Sequence, residues 1–228
     1  MPETIESNSY VDLYHQPNRK KWLLSLIFIL LPYYLNDIIY LQLQNQPNLL
    51  YPLDYGLRFG SLLLCYLFFG KSGLRLSSSV APKEKKDLII DILLVPILFT
   101  CIYLFIDFLS YVFVPKSWSL GFAWPKIQSP ILRWLDLTIG LCLVSITEEL
   151  VFRRHVYAFF GSLLKKDYLA NIIQAILFGL IHWGSGPRNT ISAIIFGLLA
   201  GVFYDRKKYL LPIIIFHTFS NFIIFMIH

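Results

Sequence analysis

Charged side chains are scarce in this 228-residue chain: Asp, Glu, Lys and Arg make up 15% of it, whereas 56% of its residues are hydrophobic. Soluble domains contain about 25% charged and about 45–50% apolar residues. The apolar residues are also grouped in runs of about 20, the length that an α-helix needs to cross a bilayer. This composition excludes an ordinary soluble domain and predicts an all-α, polytopic transmembrane helical bundle.

Cysteine is rare as well. Cys65, Cys101 and Cys142 lie far apart within apolar runs, so the sequence predicts neither a disulfide framework nor a cysteine metal site. The net charge of +6 comes from basic residues between the apolar segments and not from one soluble face, which argues against nucleic acid as a partner. We therefore expect the lipid bilayer, and no nucleic acid, around this chain.

Seven apolar segments are predicted as membrane helices of a single integral membrane domain, 1–228. They span residues 22–41, 55–70, 88–114, 131–164, 168–183, 189–204 and 209–227. Lys and Arg cluster in alternate loops, and the positive-inside rule then places the N-terminus in the cytoplasm. Ser129 and Pro130 are a typical N-cap and first-turn pair for the fourth helix. Residues 1–18 contain acidic residues, unlike a signal peptide, so we expect the first segment to be retained.

Three charges lie close together inside the fourth segment: Glu148, Glu149 and Arg153. A charge at the bilayer centre costs about 2.5–3.5 kcal/mol on insertion scales. Glu149 and Arg153 are four positions apart and can pair on one helix face. Glu148 points about 100° away from Glu149, so the sequence leaves it unpaired. An unpaired carboxylate inside a membrane is a candidate functional residue.

Further polar residues occur in the last segments. Glu148 and His182 are almost equally distant from the turn at 165–167, so an antiparallel hairpin would bring them to the same depth. His217 and Asn221 share one face of the last helix. His217 lies nearer to the turn that precedes its own helix, which predicts a shallower position for it.

This set of side chains suits the hydrolysis of an amide by water. A carboxylate and an imidazole can take a proton from one water molecule, and a second imidazole and an amide can donate hydrogen bonds to the oxyanion that forms. A zinc site of two histidines and a glutamate stays open as an alternative. The absence of an H-E-x-x-H helix and the poor ligand quality of Asn221 argue against zinc.

The order of these motifs resembles that of the CPBP family of intramembrane proteases, also called the Abi (abortive infection) or type II CAAX prenyl endopeptidase family. Three motifs carry the resemblance: Glu148-Glu149-x-x-x-Arg153, Phe178-x-x-x-His182 and His217-x-x-x-Asn221. It covers residues 131–228, which are therefore expected to form the catalytic core. Arg154 is a departure, because the family commonly has glycine after the arginine, and it is expected to impede substrate access.

The family was long classed as metalloproteases, but a glutamate-based mechanism needs no metal, so we expect neither a metal nor a cofactor. The resemblance implies an endopeptidase of the glutamic type. It assigns a role to each matching residue: Glu148 as the general base, His182 as its partner, His217 and Asn221 as oxyanion donors, and Glu149 and Arg153 as structural support of the site. The implied substrate is a membrane-associated protein or peptide, with or without a prenyl group. The implied location is the plasma membrane of a prokaryote, with several membrane passes.

Two other functions stay open at this point. One is a bacteriocin-immunity or regulatory membrane protein of the same fold, which binds a peptide without needing to cleave it. The other is a proton-coupled carrier that uses Glu148, His182 and His217 as a relay. The lack of inverted repeats in the sequence argues against a carrier. The sequence does not predict the oligomeric state.

Overall fold

A computed structural model describes residues 19–76, 85–113, 115, 125 and 127–227. Within these residues the chain forms seven helices and no β-strand, which confirms the prediction of an all-α fold with about seven helices. The helices are α1 (Arg19–Leu43), α2 (Pro47–Phe69), α3 (Lys85–Phe113), α4 (residues 130–164), α5 (Asp167–Leu180), α6 (Pro187–Lys207) and α7 (Leu211–Ile227).

Two π-helical pieces interrupt helix α4. It consists of Pro130–Leu135, Asp136–Gly140, Leu141–Glu149, Leu150–Val156 and Tyr157–Leu164, of which the second and fourth pieces are π-helical. It begins at the predicted cap, because Ser129 Oγ accepts a hydrogen bond from Leu132 N at 3.5 Å. Single π-helical turns inside α-helices are frequent at functional sites. The second π-helical piece follows Glu148 and Glu149 directly.

The second half of α4 forms the centre of the bundle. Every residue from 147 to 159 is buried. Helices α1 and α2 form one hairpin, α5 and α6 form a second, and α7 packs between α3 and the middle of α4. The two hairpins and α7 thus surround the stretch of α4 that carries the charges.

Large apolar side chains cover much of the outer surface. On α3 several of them are 56–60% exposed, namely Leu93, Leu94, Ile97 and Leu98. Among the described residues, two helical stretches are long and apolar enough to cross a membrane, Lys20–Leu43 and Lys86–Ile106, and shorter apolar stretches occupy α5 and most of α7. Apolar surface on this scale is typical of a protein that contacts lipid or another apolar partner.

The turn before α7 is buried, which corrects the predicted depth of His217. Tyr209 and Leu210 have 4% and 0% exposure, and Leu210 N donates a hydrogen bond to Leu76 O at 2.8 Å. The hydroxyl of Tyr209 donates to Asp91 of α3. The prediction assumed that this turn lies at the surface. Because the turn is buried instead, α7 begins further inside the protein than predicted. His217 therefore reaches Glu148 and is not shallower.

Small residues allow α5 and α6 to approach closely. A Cβ atom added at Gly201 would lie 1.7 Å from Asn171 Oδ1 and 2.6 Å from Gln174 Nε2. Both amides are held by hydrogen bonds to the backbone of α6: Asn171 Nδ2 donates to Leu198 O, and Gln174 Nε2 donates to Gly197 O at 2.8 Å. The Gly197-x-x-x-Gly201 face is therefore a packing face that the two amides fill.

We expect Gly201→Ala to destabilise the protein by about 1–3 kcal/mol, because overpacking displaces the buried amides. Gly56→Ala on α2 is the matched control, since a Cβ at Gly56 would meet nothing within 4 Å, and the loss of a helical glycine should stabilise by about 0.5–1 kcal/mol. Thermal unfolding of both variants in one detergent measures the difference. Equal melting temperatures for the two variants would contradict the close approach.

Candidate active site

Glu149 and Arg153 pair one turn apart on α4. Arg153 Nε lies 2.9 Å from Glu149 Oε2, and both side chains are 0% exposed. The guanidinium also lies over the rings of Phe178 and Phe196, 4.3 Å and 5.6 Å from their centroids. A fully buried cation is thus stabilised by one carboxylate and by two aromatic faces.

His217 of α7 joins the two glutamates. Its Nδ1 lies 2.8 Å from Glu149 Oε1, and its Nε2 lies 3.7 Å from Glu148 Oε2. A carboxylate beside Nδ1 accepts the Nδ1–H, which fixes the orientation of the ring and directs Nε2 at Glu148. The rings of Phe196 and Phe178 pack against the imidazole, with centroids 4.6 Å and 6.0 Å away.

Glu148 has a cationic partner, so the prediction that it is unpaired is wrong. Its Oε1 accepts a hydrogen bond from Arg58 Nη1 at 2.7 Å. Arg58 lies within α2 and is turned towards α4. Glu148 Oε2 is buried and accepts no hydrogen bond from any residue that the structure describes. One oxygen of Glu148 is therefore occupied, and the other is available to a reactant.

Arg58 is itself held by polar residues of α1 and α2. Its Nε and Nη2 lie 3.2 Å and 3.1 Å from the two carboxylate oxygens of Asp54. Asn36 Nδ2 donates to Asp54 Oδ1 at 2.8 Å. Sequence reasoning missed this group, although Asp54 and Arg58 have the same four-residue spacing as Glu149 and Arg153. That spacing inside an apolar segment was the available signal.

These contacts define one connected set of buried ionisable groups, which we call the charge cluster. Each member is at most 8% exposed. Its members are Asp54, Arg58, Glu148, Glu149, Arg153 and His217.

His182 lies beside the charge cluster, in the turn after α5. The predicted helix to residue 183 ends at Leu180, and His182 Nδ1 lies 3.0 Å from Phe178 O. The imidazole is within electrostatic range of both Glu148 and Asp37. Asp37 Oδ2 accepts a hydrogen bond from Gly184 N at 2.7 Å and so ties this turn to α1. No hydrogen bond joins His182 directly to Glu148 among the described residues.

Two other residues singled out by the sequence lie apart from the hydrogen bonds of the cluster. Asn221 is half-buried one turn after His217, and it takes part in none of the hydrogen bonds described above. Arg154 is buried, and its Nη2 donates to Ser72 O at 3.0 Å, in the turn that follows α2. The expectation that Arg154 impedes substrate access stays a prediction.

Within the described residues, no group of three or more His, Cys, Asp or Glu side chains is arranged to hold a metal ion. The carboxylates of Glu148 and Glu149 are directed instead at the two guanidinium groups and at His217.

A comparison with protein families matches residues 130–223 to the family described as type II CAAX prenyl endopeptidase, Rce1-like. We refer to the matched residues 130–223 as the Rce1-like region, because they are similar to this family. This confirms the resemblance drawn from the three motifs. The Rce1-like family is a family of membrane proteases. Comparisons with curated proteins and with solved structures gave no match.

The Rce1-like region supplies most of the site. It runs from the first residue of α4 into α7 and contains Glu148, His182 and His217. Arg58 and Asp54 lie outside it, on α2. The charge cluster is therefore assembled from the Rce1-like region and from the helical hairpin that precedes it in the chain.

We expect Arg153→Gln to destabilise the protein by about 3–5 kcal/mol, because it leaves the buried carboxylate of Glu149 without its cation. Arg206→Gln is the control, since Arg206 is exposed near the end of α6 and its loss should change stability by less than about 0.5 kcal/mol. Chemical or thermal unfolding in detergent gives both values. A similar small effect for the two variants would show that Glu149 does not depend on Arg153.

Proposed function

We propose that this protein is a membrane-embedded endopeptidase that cleaves a peptide bond of a membrane-associated or prenylated, CAAX-type protein or peptide with water activated by Glu148. The observation that carries the proposal is the buried approach of Glu148 and His217 within the Rce1-like region, with Oε2 and Nε2 3.7 Å apart. A protease family also implies a protein or peptide as the substrate.

Glu148 Oε2 is the atom that we assign as the general base. Oε1 is held by Arg58, whereas Oε2 accepts no hydrogen bond from a described residue. A carboxylate oxygen within hydrogen-bond reach of a water molecule can take its proton while the water oxygen attacks a carbonyl. The buried ion pair with Arg58 holds the carboxylate of Glu148 in a single orientation. A carboxylate held in this way reacts faster than one that rotates freely.

The proposed reaction uses His217 with a hydrogen on both ring nitrogens. The cluster contains three carboxylates and two guanidinium groups, so a neutral imidazole would leave a net negative charge buried. Burying an uncompensated charge is costly, and a proton on His217 removes that charge. The imidazolium then donates Nδ1–H to Glu149, and its Nε2–H is directed into the space beside Glu148.

The proposed reaction has two steps. Glu148 Oε2 takes a proton from water as the water oxygen bonds to the carbonyl carbon, and the carbonyl becomes an oxyanion that accepts hydrogen bonds from His217 Nε2–H and from the amide of Asn221. The oxyanion then reforms the carbonyl, the C–N bond breaks, and the proton on Glu148 passes to the leaving nitrogen with the help of His182. The scheme uses neither a metal nor a cofactor.

Glu149 and Arg153 support the reacting groups without touching the substrate. Glu149 accepts a hydrogen bond from Nδ1 of His217, and Arg153 balances the charge of Glu149. A carboxylate that orients a histidine and stabilises its imidazolium form is a recurring device in hydrolases.

We further propose that the chain is a single multi-pass domain, 1–228, with its N-terminus in the cytoplasm and its catalytic core in residues 131–228. The proposed location is the plasma membrane of a prokaryote. The two membrane-length stretches in α1 and α3 support this placement. The exposed apolar side chains of α3 also support it.

We expect Glu148→Gln to lower the rate of cleavage of a farnesylated CAAX peptide by about 10²–10⁴-fold, the usual contribution of a general base. The amide keeps the size of the side chain but cannot take a proton. Purified variants in detergent, with cleavage products identified by mass spectrometry, give this ratio. Asp87→Asn is the control, because Asp87 is an exposed acid in the first turn of α3.

Equal cleavage by the wild type and by Glu148→Gln would contradict the proposed base. If neither a farnesylated peptide nor a mixed peptide library is cleaved by the wild type, a peptide-binding immunity or regulatory function of the same fold takes precedence. In that case the same peptides, immobilised, should retain both the wild type and the Glu148→Gln variant.

A further inference from the structure

The contact between Arg58 and Glu148 joins the Rce1-like region to a part of the chain that the family match does not cover. Nη1 of Arg58 and Oε1 of Glu148 are 2.7 Å apart, and their side chains are 9% and 4% exposed. A charge-assisted hydrogen bond of this length in a buried setting is among the strong polar contacts in proteins. A cation from α2 is thus bound directly to the proposed general base.

Arg58 has little freedom to take another position. Two of its nitrogens lie against the carboxylate of Asp54, which leaves Nη1 for Glu148. Asn36 of α1 in turn donates to Asp54. Because guanidinium is planar and its donors form a rigid fork, the bidentate contact with Asp54 also determines where Nη1 points. The α1–α2 hairpin therefore presents one N–H donor at a defined position.

This donor decides which way the carboxylate of Glu148 faces. With Oε1 held by Arg58, Oε2 is turned to His217 Nε2 at 3.7 Å. Without the cation, a buried carboxylate loses its main compensation and favours the neutral acid. A protonated Glu148 cannot take a proton from water. The arginine thus maintains both the orientation and the ionised form that a base needs.

We propose that Arg58, anchored by Asp54, is the positioning residue of Glu148, so that the α1–α2 hairpin completes the active site of the Rce1-like region. This inference rests on the proposed function for its kinetic test, and it has a second test that needs no activity. Other ionisable groups around Glu148 are Glu149, His217 and Arg153 of the charge cluster, together with His182, Asp37 and Tyr33 at its edge.

The kinetic test compares cleavage of the farnesylated CAAX peptide by full-length variants. Arg58→Gln should lower kcat about 100-fold, the effect of a misplaced reacting group, while KM changes less than about twofold because Arg58 acts through Glu148. Arg58→Lys should recover part of kcat, since it keeps the charge but loses the fork. Arg75→Gln is the control, because Arg75 is exposed beyond the turn that follows α2 and should match the wild type.

The second test is the carboxylic acid C=O stretch in the infrared spectrum at neutral pH. Arg58→Gln should gain an acid band that the wild type lacks. The band should be absent from the double variant Arg58→Gln/Glu148→Gln and should persist in Arg58→Gln/Asp54→Asn, which assigns it to Glu148. The last variant removes one charge of each sign and keeps the test usable if Arg58→Gln alone does not fold.

The outcomes separate this inference from the proposed function. No cleavage by the wild type, together with an acid band assigned to Glu148, would overturn the proposed function and support the role of Arg58. A band that disappears with Asp54→Asn and not with Glu148→Gln would show that Arg58 serves Asp54 alone, which overturns the inference. An unchanged kcat in Arg58→Gln, with an active wild type, would also overturn it.

Discussion

The burial of ionised side chains is the constraint on which the arrangement of the helices depends. Glu149 and Arg153 have no exposed surface, so each must be neutralised by a neighbour inside the protein. The neighbour of Glu148 comes from α2, that of Glu149 from α4 itself, and His217 of α7 contacts both glutamates. Helices α2, α4 and α7 therefore have to meet at one level.

The supporting residues form two layers around the proposed reacting atoms. On one side, the rings of Phe178 and Phe196 cover the guanidinium of Arg153 and pack against His217. On the other side, Asp54 fixes Arg58. The first layer comes from the Rce1-like region and the second from the hairpin before it. A helix pair outside the family match thus has a structural reason to stay attached to the matched region.

The sequence alone was sufficient for the number of helices and for the pairing of Glu149 with Arg153, because hydrophobic length and four-residue spacing are local signals. It also located the cap at Ser129. It failed for the partner of Glu148 and for the depth of His217. Arg58 is 90 positions from Glu148, and no local pattern specifies which of two facing helices supplies a counter-ion.

The depth of His217 failed for a related reason. The predicted depth was the number of residues from the turn multiplied by the helix rise of 1.5 Å per residue. This estimate assumes that every turn lies at the surface. The turn before α7 is instead buried by the hydrogen bonds of Tyr209 and Leu210. Spacing within one helix is predictable from sequence, whereas the level at which the helix starts depends on tertiary contacts of its turn.

Exposure within the site bears on the side from which the proposed peptide substrate would reach Glu148. Glu148 and His217 have 3% and 4% exposure, and Arg58 covers Glu148 on the side of α2. His182 is half-buried in the turn after α5, and Asp37 of α1 accepts a hydrogen bond from Gly184 N of this turn. A turn has fewer backbone contacts to lose than a helix, so we expect a peptide to enter on the His182 side if the protein is the proposed endopeptidase. Glu148 would then act between Arg58, which Asp54 holds in place, and the turn that carries His182, which is less constrained.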